Sequence, residues 1–186
     1  MHRIDKSLIA IIACDGFEES ELTEPRKAVA AAGAEVHVIS SDKDAIQGLR
    51  HMETGASVPV DRRIANVKAD DYDALIIPGG LFSPDAMRTD DRFLTFARAF
   101  FDQKKPVAAI CHGPQVLISA DLVEGRTMTA VSAVRKDLEN AGATVLDEPV
   151  VVDAGLVTSR TPDDLDAFCG TLVEAVAEGR HRHQHA

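Results

Sequence analysis

Residues 107 to 115 read VAAICHGPQ, and the change of character inside this stretch decides the fold. Its first four residues are small or apolar, which is typical of a strand buried on both of its faces. At Cys111 the run breaks into a cysteine, a histidine, a glycine and a proline, and the pattern then predicts a helix from about Pro114 to Leu122. A buried strand that leads directly into a helix predicts a unit of a parallel α/β sheet.

The same alternation of strand-like and helix-like segments runs along the whole chain. Strands are predicted over 7–13, 35–40, 74–80 and 127–131, a loop over 41–56 leading to SVPVD, and a hairpin over 150–159. Helices are predicted through 25–33 and over 92–103, and a further helix ends at 141–143. The last helix begins after Arg160, where Thr161 could cap it. The pattern predicts an α/β fold, a doubly wound, mostly parallel sheet with helices on both faces.

Length and composition limit the classes of function. The 186 residues are expected to form a single domain over 1–178, followed by a disordered His-rich tail over 179–186. The formal net charge of -10 disfavours nucleic acid and anionic membranes as partners. The N-terminal apolar stretch, about seven residues long, is too short for a signal peptide or a membrane span. We therefore expect a cytoplasmic protein whose partners are small molecules or other proteins.

The three cysteines predict reduced, unpaired thiols. Cys14, Cys111 and Cys169 form neither an even disulfide framework nor a C-x-x-C pair, so no zinc or other metal site is expected. Free cysteine is often only a packing residue, and this is our interpretation of Cys14 and Cys169. Cys111 differs because a residue at a strand-to-helix turn can be held in a strained conformation that projects its side chain, as in a nucleophile elbow. The N-terminus of the following helix would also stabilise a thiolate.

Three predicted strands end in residues that can do chemistry. They are followed by CDGFEESELTEP from residue 14, PGGLFSPD from residue 78, and CHGP from residue 111. Ligands of open α/β sheets bind beyond the carboxyl ends of the strands, so acids, backbone donors and a thiol would converge if these strands are neighbours. The first loop lacks G-x-G-x-x-G, which excludes a typical dinucleotide site.

The acidic loop and the histidine offer alternative partners for the thiol. Glu18 and Glu21 share a direction if their turn is helical, whereas Glu19 is interpreted as a residue that favours the helix dipole. His112 is the only histidine that the sequence places near the thiol, but adjacent residues on a regular helix do not face each other. Contact between His112 and the sulfur therefore requires a bent elbow, and Glu21 is the alternative contact.

These stretches resemble the PfpI (intracellular protease I) and ThiJ-like family, which includes bacterial general stress proteins and the parkinsonism-associated deglycase. The matching stretches are DGFEESEL, LIIPGG, the SPD of LFSPD, AICHGPQVLISADLVEGR, NAGA and VVVDAGLVTSRTPDDL. They extend over about residues 7 to 177, and AICHGPQ is highly specific to the PfpI branch. The resemblance implies a flavodoxin-like fold, no cofactor, and a homodimer, with a hexamer as the alternative.

The resemblance also implies roles for individual residues. It makes Cys111 the elbow nucleophile and Glu21 the acid hydrogen-bonded to its sulfur. His112 corresponds to the catalytic histidine of peptidase-type members, and Asp85, where some relatives have Glu, would orient it across a subunit interface. The backbone N–H groups of Gly80 and His112 would bind an oxyanion.

Glu18 matches another acid of the loop. Glutamine amidotransferases also use an elbow cysteine, but Ala109 replaces the first glycine of their G-x-C-x-G motif and no later H-x-E motif follows.

The first functional hypothesis is a cysteine-dependent stress-protective enzyme that acts on reactive dicarbonyls such as methylglyoxal, or on glycated and otherwise damaged proteins. The alternatives are a PfpI-type intracellular cysteine peptidase and a redox-sensing or chaperone-like stress protein in which Cys111 is oxidised to a sulfinate.

Overall fold

The computed structural model describes residues 4–180, so most of the expected His-rich tail lies outside the described residues. The strands are β1 (Leu8–Ile12), β2 (Phe17–Glu18), β3 (Glu35–Ser40), β4 (Ala45–Arg50), β5 (Glu53–Pro59), β6 (Arg62–Arg63), β7 (Ala74–Ile77), β8 (Val107–Ile110), β9 (Thr127–Met128), β10 (Thr144–Val145), β11 (Val150–Asp153) and β12 (Leu156–Ser159). The helices are α1 (Glu19–Ala31), α2 (Phe82–Met87), α3 (Asp91–Asp102), α4 (Pro114–Ser119), α5 (Ser132–Asn140) and α6 (Leu165–Glu178).

A seven-stranded sheet forms the centre of the molecule, in the order β11-β12-β8-β7-β1-β3-β6. All its neighbouring strands are parallel except β11 and β12, which form the predicted antiparallel hairpin. The predicted α/β class with a mostly parallel sheet is therefore confirmed. Across residues 4–180, no helix has the length and apolar character needed to cross a membrane.

Alternation along the central strands builds a separate core on each face of the sheet. In β1, Ile9 and Ile11 pack on the face covered by α1 and α6, while Ala10 and Ile12 pack on the face covered by α3, α4 and α5. Burying an aliphatic side chain of this size contributes about 1.5–3 kcal/mol. Because both faces are covered, the central strands carry apolar residues at every position, which is why the sequence reveals them so clearly.

The prediction of a loop over 41–56 is wrong, because β4 and β5 form an antiparallel hairpin there. The hairpin belongs to a small second sheet in which β2 pairs with β4. Most residues of β5 are exposed, so its sequence has no apolar alternation to indicate a strand. The pairing is decided by contacts with β2 and α1 that lie far away along the chain.

Two further details of the last helix and of the second loop differ from the expectations. Thr161 forms no side-chain cap; residues 162–164 instead form a 3-10 turn in front of α6. Arg160 holds this turn through Asp164, with its Nε 2.9 Å from Oδ2 and Nη2 2.9 Å from Oδ1. The second difference is α2, a six-residue helix inside the stretch that the sequence presents as a loop.

Candidate active site

The sheet order places β8, β7 and β1 side by side, so the three chemically unusual loops meet at one edge. This confirms the condition on which convergence of the loops depended. A cavity of about 510 Å³ lies at this edge. The residues predicted for the site that line it are Glu18, Glu21, Gly80, Cys111 and His112.

Cys111 lies at a strained turn between β8 and α4. Its φ of 61° is in the left-handed region, which costs an L-residue about 1–2 kcal/mol. Neighbouring segments hold it there: its N–H donates to the Ser159 carbonyl at 3.1 Å, and its carbonyl accepts from the Val131 N–H at 3.2 Å. A Cβ on Gly113 would lie 2.5 Å from the Ile77 carbonyl oxygen, so only glycine lets the chain turn so sharply. The predicted elbow is present.

The sulfur of Cys111 is surrounded by both of the alternative partners. The residue is 9% exposed, and its Sγ lies 3.3 Å from Nδ1 of His112, a contact that the bent elbow permits. The carboxyl group of Glu21 interacts with the same thiol, and the backbone N–H groups of His112 and Gly80 face the sulfur. The structure therefore brings together the thiol, a carboxyl group, an imidazole and two backbone donors.

Glu21 is a buried carboxyl group without a cationic partner in the described part of the chain. It is 0% exposed, and its Oε2 accepts a hydrogen bond of 2.8 Å from the Gly79 N–H. Its Oε1 has no hydrogen-bond partner of ordinary geometry within residues 4–180. Burial raises the pKa of Glu21 to about 8, against the opposing effect of the Gly79 hydrogen bond. Glu21 therefore carries a proton at neutral pH.

The same burial acts on the thiol. It raises the pKa of Cys111, and the negative charge that Glu21 would carry raises it further, while the N–H groups of His112 and Gly80 lower it. The expected stabilisation of a thiolate by the helix N-terminus is thus outweighed. Since two adjacent negative charges are unfavourable, the thiol and the Glu21 carboxyl group do not ionise together, and both keep their protons at neutral pH.

His112 is placed to accept a proton. Burial lowers the pKa of its imidazole, so the ring is neutral at neutral pH. A neutral ring 3.3 Å from Sγ can take the thiol proton or return it to a reacting oxygen. His112 therefore offers both its ring and its backbone N–H to the site.

Asp85 does not line this cavity. It lies in the first turn of α2 and borders a separate cavity with Cys14, Asp15 and Lys43. The expectation that it orients His112 concerned a neighbouring subunit, and it stays a prediction.

Seven further lining residues were not predicted from the sequence as part of the site. They are His51, Met52, Leu81, Val131, Thr161, Pro162 and Asp163. The first two lie at the tip of the β4-β5 hairpin, which had been assigned to a loop. Leu81, an apolar residue placed after two glycines in a polar loop, was a usable signal, whereas Asp163 was read only as part of a helix start.

Glu18 and Glu19 attach the hairpin to the start of α1. Oε2 of Glu18 accepts from the His51 N–H at 2.9 Å. Glu19 accepts from the Ala56 N–H and from Nε of Arg50, the latter at 3.2 Å. The hydrogen bond from Ala56 is the main cause that lowers the pKa of Glu19. The assignment of Glu19 to the helix dipole alone was therefore incomplete, since its carboxylate positions one wall of the cavity.

Replacing Glu19 should loosen this wall. In Glu19→Ala the Ala56 N–H loses its acceptor, so we expect amide hydrogen exchange at Ala56 and His51 to accelerate by about tenfold, following the loss of one charge-assisted hydrogen bond. Glu24→Ala is the matched control, because Glu24 lies on the same helix and, within residues 4–180, forms an ion pair with Lys27 alone. Unchanged exchange in Glu19→Ala would show that Glu19 does not hold the hairpin.

Gly79 is the point of closest approach between the three loops. A Cβ there would lie 2.5 Å from Oε2 of Glu21, 2.8 Å from Cβ of Cys111 and 2.9 Å from the His112 nitrogen. We expect Gly79→Ala to lower the free energy of unfolding by about 1–3 kcal/mol and to separate the thiol from the carboxyl group. The measurement is chemical denaturation combined with the alkylation rate of Cys111.

The control is Gly170→Ala, since a Cβ at Gly170 meets no atom within 4 Å and the residue lies inside α6. It should raise the free energy of unfolding by about 0.5–1 kcal/mol. Equal behaviour of the two alanine variants would contradict the close approach at Gly79.

These features define a class: α/β proteins that present an elbow cysteine at the carboxyl edge of a doubly wound sheet. The chain belongs to the DJ-1/PfpI family, whose model matches residues 7–175. The resemblance found in the sequence is thereby confirmed, and with it the flavodoxin-like fold.

Two Bacillus subtilis (strain 168) proteins are similar to most of the chain. "General stress protein 18" is 52% identical over 161 residues, which cover 86% of this chain and 92% of that protein. "Putative cysteine protease YraA" is 51% identical over 160 residues, with the same two coverages. These names associate the family with stress proteins and cysteine-dependent enzymes.

The solved structures support the same fold. A two-domain protein from Anabaena variabilis, with DJ-1/ThiJ/PfpI-like and ferritin-like domains, matches with a TM-score of 0.86 and 39% identity. The match covers 91% of this chain but 48% of the Anabaena chain. Drosophila melanogaster DJ-1beta matches with a TM-score of 0.85 and 26% identity, covering 92% of this chain and 91% of the other.

Proposed function

We propose that this protein is a cysteine-dependent stress-protective enzyme that acts on reactive dicarbonyls such as methylglyoxal, or on their early adducts on proteins. One observation carries the proposal: a buried thiol lies between a carboxyl group that keeps its proton at neutral pH and a neutral imidazole. Such a pair of proton carriers suits the repeated proton transfers of carbonyl chemistry. The similarity to a protein named general stress protein 18 supports it.

The first step is addition of the thiol to the aldehyde. The sulfur of Cys111 forms a bond to the aldehyde carbon, and the electron pair of the C=O bond moves to oxygen. The backbone N–H groups of Gly80 and His112 stabilise the resulting oxyanion. His112 takes the thiol proton, and either this proton or the one that Glu21 holds ends on the oxygen to give a hemithioacetal.

The second step converts the adduct into a thioester of lactate. A base, either His112 or ionised Glu21, removes the proton from the carbon bonded to sulfur, and the electron pair forms an enediol. Return of a proton to the neighbouring carbon gives the thioester. Water then hydrolyses the thioester, which releases lactate and restores the thiol. The sum is methylglyoxal plus water to lactate, without an external oxidant or reductant.

The direct test is formation of lactate from methylglyoxal by the purified protein in D₂O. We expect lactate to appear in proportion to protein, with deuterium on its central carbon because the returning proton exchanges with solvent. Absence of lactate would contradict the proposal. A peroxide titration followed by intact mass, run in parallel, would detect the alternative in which Cys111 is oxidised to a sulfinate and does not turn over.

A peptidase is the second candidate, favoured by the contact between His112 and the sulfur and by the similarity to YraA. It requires an acid to orient the imidazole, and Asp85 of the same chain lies outside the cavity. Peptidase activity would therefore depend on assembly of subunits. Casein hydrolysis that persists through purification and is lost in Asp85→Asn would favour this candidate.

A further inference from the structure

We infer that the cavity selects substrates by charge: it accepts carbonyl compounds that are neutral or positively charged and excludes anionic ones, such as phosphorylated or carboxylated aldehydes. Glu18 and Asp163 are the specificity-determining residues. The inference rests on the proposed function only in placing the reacting carbonyl at Cys111.

Apart from Cys111 and two histidines, the ionisable side chains around the cavity are acidic. Glu18, Glu21 and Asp163 line it, and no lysine or arginine of residues 4–180 does so. The two arginines nearest to the lining segments in the chain are already paired. Arg50 lies against the carboxylate of Glu19, and Arg160 against those of Asp147 and Asp164. Neither arginine is free to bind an anionic substrate.

The two carboxylates at the mouth have no compensating cation. Asp163 is exposed on the turn before α6, and its side chain forms no ion pair within the described part of the chain. Glu18 accepts a neutral hydrogen bond from the His51 backbone and likewise has no ion pair there. An anion moving toward Cys111 must pass both negative charges, while a cation is attracted by them.

The interior supplies a second, independent observation. Oε1 of Glu21 is buried without a hydrogen-bond partner of ordinary geometry within residues 4–180, and the Glu21 carboxyl group lines the same cavity beside the Cys111 thiol. A protonated carboxyl group there can donate to a substrate oxygen, but it offers no positive charge to balance a phosphate or a carboxylate. The two carboxylates at the entrance and the uncharged Glu21 in the interior therefore both disfavour the binding of anions.

The size and the rim of the cavity suit substrates larger than methylglyoxal. About 510 Å³ is several times the volume of that dicarbonyl. Met52 and Leu81 are 77% and 53% exposed at the rim, which is unusual for large apolar side chains. They could pack against the methylene chain of a cationic side chain whose charged end meets Asp163.

The test uses a pair of thiol reagents that differ in charge. Both reagents are methanethiosulfonates. The cationic reagent carries a trimethylammonium group, and the anionic reagent carries a sulfonate group. With either reagent, the Cys111 sulfur bonds to the reagent sulfur, methanesulfinate leaves, and the thiol proton goes to solvent. Rates are measured by mass spectrometry of the Cys111 peptide in a Cys169→Ser background, because Cys169 is partly exposed.

We expect the ratio of the cationic to the anionic rate to exceed the ratio for free 2-mercaptoethanol by about tenfold at low salt, and to fall as salt is added. Asp163→Asn should lower the ratio about threefold, and Glu18→Gln should lower it further. Asp166→Asn is the matched control, since Asp166 is an exposed acid on the adjacent turn of α6 that does not line this cavity.

A wild-type ratio equal to that of 2-mercaptoethanol would overturn the inference, as would equal effects of Asp163→Asn and Asp166→Asn. The outcome is separable from the proposed function. Charge-selective modification without lactate formation would contradict the proposed reaction and support charge selection. Lactate formation without charge selectivity would overturn charge selection alone.

Discussion

Replacing Cys111 by alanine should lower the turnover of methylglyoxal to lactate by at least about a thousandfold. Without the thiol no hemithioacetal forms, and the remaining groups can only polarise the carbonyl, so the covalent route is lost entirely. Alanine also tolerates the φ of 61° no worse than cysteine, and the side chain it replaces is small. The loss is therefore expected without a matching loss of stability, and both lactate formation and thermal unfolding should be measured.

The other two cysteines are the controls. Cys14 is buried near Ser40 and Ser83, and Cys169 lies on α6. Neither residue lines the cavity that contains Cys111. Cys169→Ala should keep wild-type turnover. If Cys111→Ala retained most of the activity, the thiol would be a packing residue and the proposed covalent mechanism would be wrong.

Replacing Glu21 by glutamine should remove a large pH dependence of stability. The native state holds the Glu21 proton up to a pKa of about 8, whereas the unfolded chain releases it near 4.5. Between these values the native state binds more protons, so the free energy of unfolding falls as pH rises through this window. The shift corresponds to an upper limit of about 5 kcal/mol over the whole window. Glutamine is neutral at every pH and should abolish this contribution.

The measurement is chemical denaturation of both proteins at several pH values from 5 to 9. The difference in unfolding free energy between Glu21→Gln and wild type should grow with pH up to about 8 and then level off. Glu24→Gln serves as control because Glu24 lies on the same helix and is partly exposed in an ion pair with Lys27. A difference that does not change with pH would show that Glu21 ionises normally in the folded protein.

Part of this molecule could be predicted because its cause is local. The apolar run at 107–110 predicts a strand buried on both faces, and the strand occupies those residues. Gly113 indicates a tight turn, and the turn does place Cys111 in the left-handed region. The hairpin over 150–159 was likewise visible, since the turn residues Ala154 and Gly155 interrupt two apolar runs.

Other parts could not be predicted because their cause is not local. The hairpin of β4 and β5 is held by Glu18 and Glu19, whose hydrogen bonds to it cross more than thirty residues of sequence. The acidity of the mouth depends on Asp163, which lies far along the chain from Glu18. No pattern within either segment records that the other lies nearby.

The sequence by itself determined the fold class and the elbow, and it singled out Cys111 as the candidate thiol, because strand burial and turn geometry depend on neighbouring residues. Only the tertiary structure decided what surrounds the sulfur. Burial of Glu21 keeps its proton in place, and the elbow brings the ring of His112 to the sulfur as well as its backbone N–H. Protonation and contact of this kind depend on how completely distant segments exclude water, and that is a property of the assembled fold.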